Sequence, residues 1–205
     1  MRRAALLALL LAACGSRKQP PPPTDDTTTG RLVGIYPEQW GCEVVATVAS
    51  LGEVLGGPVR QVEGSLAPPR GTPKPCNYLL EVDPPQPWSF DLDCRADALH
   101  TAEIIWQQQL AQNQALVAAA ADAGDAERTD DAGVVHAVPA GAVEVAVGAR
   151  GLDVSGQALL FIDDDSPCYG RVVGPDAARR LALAQLIATH LRPATAPMEP
   201  RAAGK

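Results

Sequence analysis

Two stretches near the middle of the chain alternate strictly. Tyr78, Leu80 and Val82 are separated by Asn77, Leu79 and Glu81, and Trp88, Phe90 and Leu92 are separated by Ser89, Asp91 and Asp93. A period of two predicts a pair of half-buried strands. The connection Asp83-Pro84-Pro85-Gln86-Pro87 makes them a hairpin. Pairing Val82 with Trp88, Leu80 with Phe90 and Tyr78 with Leu92 puts all six side chains on one face. A one-residue slip would expose the Trp, Phe and Leu, each worth about 1.5–3 kcal/mol when buried.

Other stretches repeat at three and four. From Cys42 to Leu55, the residues Val45, Val48, Ala49, Leu51 and Leu55 predict an amphipathic helix, ended by Gly56-Gly57 and Pro58. Ala96 to Ala121 predicts a long helix, with Leu99, Ala102, Trp106, Leu110 and Val117 along one side, Ile104 and Ile105 widening it, and a Gln-rich solvated face. Gly174-Pro175-Asp176 predicts a helix start with Pro at the first helical position. Leu181, Ala184, Ile187, Ala188 and Leu191 give that helix a buried face, and Pro193 ends it. Further strands are expected at Val59 to Val62, around Val143, Val145 and Val147, at Gly151 to Ser155, at Gln157 to Asp163 and at Tyr169 to Val173. Gly148 and Gly156 serve as turns, and Asp122 to Gly133 forms an exposed acidic loop. The sum is an α+β domain: an antiparallel sheet of about five to seven strands packed by amphipathic helices. Its expected bounds are residues 33–192, and residues 193–205 are read as a disordered tail. The element order also suggests two similar halves, without a sequence repeat.

The N-terminus has a different pattern. Met1-Arg2-Arg3 precedes an unbroken apolar run from Ala4 to Ala13, then Cys14. A positive start, a short apolar run and small residues before a cut describe a secretory signal peptide. The run of about ten residues is too short for a bilayer-spanning helix, which takes about 20. Leu11-Ala12-Ala13-Cys14 resembles the lipobox of bacterial lipoproteins. That resemblance implies that residues 1–13 are removed and that lipidated Cys14 becomes the mature N-terminus. It further implies a membrane partner through that lipid and a domain facing the periplasm or cell exterior. With Gly15 rather than Asp after the Cys, it implies the outer membrane in a Gram-negative cell. Two or more acyl chains anchor stably where one does not. From Gly15 to Gly30 the chain offers nothing apolar to bury, and Pro20 to Pro23 favour polyproline II. Residues 14–32 therefore read as a lipidated Cys and a Pro/Thr-rich tether spanning about 20–40 Å.

Charge and cysteine content narrow the partners. The chain carries 17 Lys+Arg and 24 Asp+Glu, and losing Arg2 and Arg3 with the leader takes the net charge from −7 to −9. An acidic domain without a basic run is unsuited to nucleic acid. Beyond Cys14, the four cysteines Cys42, Cys76, Cys94 and Cys168 predict two disulfides in an exported protein, with three connectivities open. In the hairpin register above, Cys76 falls opposite Cys94, so a cross-strand bond is geometrically allowed. The run Cys42…Leu55-Gly56-Gly57-Pro58-Val59…Cys76-Asn77-Tyr78 resembles a module of uncharacterised secreted actinobacterial lipoproteins, Cys…Leu-Gly-x-Pro-Val…Cys-x-(Tyr/Trp). The resemblance implies the pairing Cys42–Cys76 and Cys94–Cys168, and it implies no activity.

Catalytic signatures are missing. The sequence has no G-x-S-x-G, H-E-x-x-H, S-x-x-K or P-loop, and no CxxC pair for zinc. His100, His136 and His190 are read as surface or packing residues. The strongest site candidate is Asp163-Asp164-Asp165-Ser166, after an apolar strand and beside Cys168. Carboxylates and a hydroxyl on a fixed loop suit Ca²⁺ or general-acid chemistry, but the spacing is not an EF-hand. The acidic residues Asp122, Asp125, Glu127, Asp130 and Asp131 are read as a solvated loop. The expectation is a non-enzymatic, cofactor-free binding or accessory domain for an envelope protein or small molecule. The alternative is an envelope hydrolase or calcium-binding module using Asp163, Asp164 and Asp165.

Overall fold

The computed structural model describes residues 32–64, 67–122, 128–129, 135–136, 141–154 and 158–202. The leader, Cys14, the tether, Gly156 and most of the acidic stretch after Asp122 lie outside them.

In chain order, β1 (Leu32–Val33) is followed by 3-10 turns at Pro37–Gln39 and Cys42–Val44, then α1 (Val48–Leu55), β2 (Val59–Val62), β3 (Cys76–Leu80) and β4 (Gln86–Asp93). Next come α2 (Ala98–Asp122), β5 (Arg128–Thr129), β6 (Val135–His136), β7 (Val143–Val145), β8 (Arg150–Val154), β9 (Ala158–Ile162), β10 (Tyr169–Val173), α3 (Ala177–His190) and β11 (Arg201–Ala202). Seven strands form one sheet in the order β2-β3-β4-β10-β9-β8-β7, with every neighbouring pair antiparallel. With three helices this is the α+β domain expected from the alternation, and its disulfides are Cys42–Cys76 and Cys94–Cys168. Two short ladders, β1–β11 and β5–β6, stand apart from the main sheet.

The hairpin keeps the predicted face and changes register. Tyr78 pairs with Trp88 and Cys76 with Phe90, while Leu80 meets Gln86. Each strand edge moves by two residues, so the connection keeps its length and runs from Glu81 to Pro85. Because the shift is even, Tyr78, Leu80, Trp88, Phe90 and Leu92 still enter the core and Cys76 joins them, while Val82, expected beside them, lies beyond β3 and is only partly buried. Tyr78 and Phe90 stack at 6.0 Å between centroids. Cys76 no longer faces Cys94, which instead reaches Cys168 ahead of β10.

The helices also depart from expectation in detail. The first splits: a 3-10 turn holds Cys42, and α1 starts only after Thr47, whose hydroxyl caps the backbone N–H of Ser50. It stops at Gly56, in the left-handed conformation at φ 77°. In α2 the buried line is Ala98, Ala102 and Trp106, and Leu99 is 40% exposed. The third helix begins after Asp176, which accepts from the Arg179 N–H, so Pro175 precedes the cap rather than opening the helix. Its buried face is Arg180, Leu183, Ala184 and Ile187, continued by Leu191; Leu181 and Ala188 are only partly buried. A rule that keeps charge out of the apolar arc cannot find this face, because Arg180 is neutralised from the sheet. Its Nε and Nη2 donate to the two Asp153 oxygens at 2.9 and 3.0 Å, and Nη1 donates to the Gly174 carbonyl at 2.7 Å.

Residues 193–202, expected to be part of a disordered tail, fold back onto the domain. Ala196 and Met198 are buried, Ile35 N–H donates to the Ala196 carbonyl, and β11 pairs with β1. The Trp40 indole N–H donates to the Thr195 carbonyl at 2.9 Å. A segment rich in Pro, Ala and Thr carries no periodic signal, yet it returns to cover the chain's first strand.

The sheet's two faces are covered unequally. On one, α1, α3 and the segments holding Trp40 to Ala46 and Ala196 to Met198 enclose a core built on Leu51, Leu80, Trp88, Phe90, Phe161 and Leu183. On the other, α2 lays Trp106 over Leu152, Val154, Ala158 and Leu160, with Tyr169 and Val173 at the margin. Two meanders, β2-β3-β4 and β8-β9-β10, meet at β4–β10. The helices that follow them pack on opposite faces, so the halves are not equivalent. Among the described residues no helix is long and apolar enough to cross a membrane.

Candidate functional site

Two regions qualify, and the sequence pointed to one of them. That region is the turn joining β9 to β10. Asp163 directly follows β9 and is 5% exposed. Its Oδ2 accepts the backbone N–H groups of Asp165 at 3.2 Å and Ser166 at 2.7 Å. Its backbone N–H donates to the Cys168 carbonyl, so the residue closes its own turn. The neighbouring β7–β8 turn fits tightly against it. Gly148 there has φ 54°, and a Cβ would collide with the Ile162 carbonyl oxygen. Burial pushes the Asp163 carboxyl up to about 6, with the nearby charge of Asp164 adding to the rise and the Ser166 N–H and Arg192 opposing it.

The three carboxylates diverge. Asp163 turns inward to backbone donors, Asp164 is exposed, and Asp165 pairs with Arg192 beyond the end of α3. Asp164, Asp165, Arg192, Gln185 and Thr189 line a shallow cleft of about 290 Å³, which Asp163 does not reach. Among the described residues, no three His, Cys, Asp or Glu side chains are grouped to hold a metal ion. His100 lies on the long helix α2, far along the chain from this turn. His190 sits in the last turn of α3, with Nδ1 2.9 Å from the Leu186 carbonyl oxygen. His136 is on β6.

The second region is the half of the sheet that α2 leaves open. Register places Arg60 and Val62 of β2, Asn77 and Leu79 of β3, Pro87, Ser89 and Asp91 of β4, and Arg171 of β10 on this face. All of these except Arg60 line a groove of about 1310 Å³, walled on one side by Pro68, Lys74 and Pro75 of the β2–β3 connection. In the floor Arg171 reaches Asp91 at 2.9 Å. Burial raises the Asp91 carboxyl above its ordinary range, and the Arg171 charge opposes that rise. Outside the groove lining, Arg60 pairs with Glu81 at 3.2 Å. The groove thus offers amide, hydroxyl and fixed charge beside apolar surface, the mixture that holds ligands by shape and a few polar contacts. Among the described residues its lining holds no nucleophile paired with a base.

Sequence reading registered Asn77, Ser89 and Asp91 only as the polar phase of the hairpin. The alternation shows that they share the outer face. That this face stays uncovered depends on where α2 crosses the sheet, which no local pattern encodes. No protein-family model, no curated protein and no solved structure matches this chain.

Proposed function

We propose that this is a lipid-anchored envelope protein, held through Cys14 and facing the periplasm or cell exterior, whose domain binds a partner protein or small ligand without catalysis. The observation that carries the binding role is the half-covered sheet: an ordered β2-β3-β4-β10 face, stapled by two disulfides and left open as a groove. Rigid elements position such a surface at little entropic cost on binding. The anchor rests on the Leu11-Ala12-Ala13-Cys14 motif, and the net charge of −9 after removal of the leader fits a domain that leaves membrane attachment to the lipid. The alternative, a hydrolase or calcium module at Asp163, Asp164 and Asp165, needs converging carboxylates, and their divergence favours the binding reading.

The test places a photocrosslinking amino acid at Asn77 or Ser89 in the groove, and at Gln185 on α3, in the full-length protein in bacterial cells. The expected result is a discrete adduct from the groove positions that is lost in Cys14→Ser. Adducts from Gln185 alone would refute the assignment of the surface.

A further inference from the structure

The sheet ends at β2, and the outer edge of that strand carries the unused half of a hydrogen-bond ladder. β2 is the terminal strand of the seven and has β3 as its neighbour. The Glu81 N–H donates to the Pro58 carbonyl at 2.8 Å, so the register places the next bonded pairs at Arg60–Leu79 and Val62–Asn77. Val59 and Gln61 fall between these pairs, and their N–H and C=O groups point away from β3. Among the described residues no backbone partner meets these four groups. Sheet edges are commonly blunted by Pro, by a bulge or by an outward charge. β2 reads Val-Arg-Gln-Val in unbroken register, and its one charge, Arg60, is turned back to Glu81 of its own hairpin.

The groove opens onto this edge. Its lining runs from Ser89 and Asn77 on the outer face, over Gln61 to Gly64, to Trp40 and Cys42, which pack into the core on the inner face. A chain laid along β2 therefore has room on both sides of the sheet. Two charges at this end of the hairpin are also unspent. Glu63 directly follows β2, and Lys74 stands two residues before β3. Both line the groove and are exposed, and among the described residues neither has an ion-pair partner, whereas Arg171 and Asp91 have each other.

We propose that the groove, read above as the binding surface, takes an extended segment of another protein, which adds to β2 as a further strand and carries a carboxylate for Lys74 and a cation for Glu63. The segment's backbone completes the hydrogen bonds of Val59 and Gln61, and its alternate side chains turn toward the groove. The backbone bonds supply affinity for any extended chain, and the two charges select the sequence. A second copy of this chain matches the edge less well: when Val59 of one β2 bonds Gln61 of the other, the two Arg60 side chains stand directly opposite, like charge against like.

The experiment uses the full-length chain in bacterial cells, with the photocrosslinking amino acid at Asn77. Gln61→Pro removes the outward N–H and spares the ladder to β3, a position that an edge strand tolerates, while Gln61→Ala keeps the N–H. The adduct should persist with Gln61→Ala, fall about tenfold with Gln61→Pro and fall about two- to fivefold with Lys74→Glu. Slow amide exchange at Arg60 and Val62 in purified Gln61→Pro reports that its ladder to β3 is kept. A second measurement needs no change in β2: exchange at Val59 and Gln61 should be fast in the free chain and at least about tenfold slower in the purified adduct. An adduct that withstands Gln61→Pro, or Val59 and Gln61 amides that exchange equally fast in both states, would overturn strand addition and leave the groove as the binding surface. An adduct of two copies of this chain would overturn the choice of partner. No adduct from Asn77 or Ser89 in the otherwise wild-type chain would overturn the groove reading and this proposal together.

Discussion

Arg180 offers the sharpest test of how the fold is held together. It lies on α3 among Leu183, Ala184 and Ile187, with its side chain 2% exposed and that of its partner Asp153 14% exposed. Replacing Arg180 with Met keeps much of the packing but leaves the Asp153 carboxylate without a counter-ion and the Gly174 carbonyl without its donor. Breaking a buried pair from one side costs about 3–5 kcal/mol. In a domain of this size each kcal/mol lowers Tm by about 2–4 °C, so the variant should melt about 6–20 °C lower. Asp153→Leu should cost as much, since it strands the guanidinium. The double variant removes both charges, and exchanging a buried pair for apolar residues is often neutral. It should therefore recover more than half of either loss, with the unpaired Gly174 carbonyl accounting for the remainder. The assay is urea unfolding under non-reducing conditions, followed by Trp fluorescence. Losses that simply add in the double variant would refute the reasoning, because they would mean the two side chains act independently.

Three further outcomes follow from the same structure. Cys94→Ala with Cys168→Ala opens a loop with a sequence separation of 74 and should cost about 4–5 kcal/mol, slightly more than removing Cys42–Cys76 at a separation of 34, both read from denaturant midpoints. Gly148→Ala should cost at least about 1–3 kcal/mol, since it forces a side chain into a left-handed backbone against the Ile162 carbonyl, whereas Leu99→Gln on the exposed side of α2 should stay within about 0.5 kcal/mol. Truncation after Pro193 should destabilise the domain and expose Trp40, seen as a red-shifted emission, because the Thr195 carbonyl and Ala196 and Met198 are lost.

The alternation from Asn77 to Asp93 made the sheet and its inner face legible, because burying one face of a strand forces a period of two. It could not set the register, since any even shift satisfies the same pattern, and each partner moved by four residues, so that Tyr78 meets Trp88 rather than Leu92. The buried line of α3 was misplaced for one reason: Arg180 enters the core through an ion pair with a residue 27 positions away. The tail was misread because its contacts, such as Ile35 to Ala196, join opposite ends of the chain and leave no local trace. At the acidic turn, sequence found the residues and missed their directions. Whether neighbouring carboxylates converge or splay is decided by the backbone donors of Asp165 and Ser166 and by Arg192.

A domain that works at a membrane to which Cys14 ties it, as proposed above, must carry its acyl groups on that cysteine. The most direct test is to express the full-length chain in bacterial cells with an alkyne-tagged fatty acid and to analyse the mature N-terminal peptide by mass spectrometry. The expected product is a peptide beginning at Cys14 that carries the acyl label and partitions with membranes, with both label and partitioning abolished in Cys14→Ser. A mature chain whose Cys14 is unmodified, or a label that persists in Cys14→Ser, would contradict it.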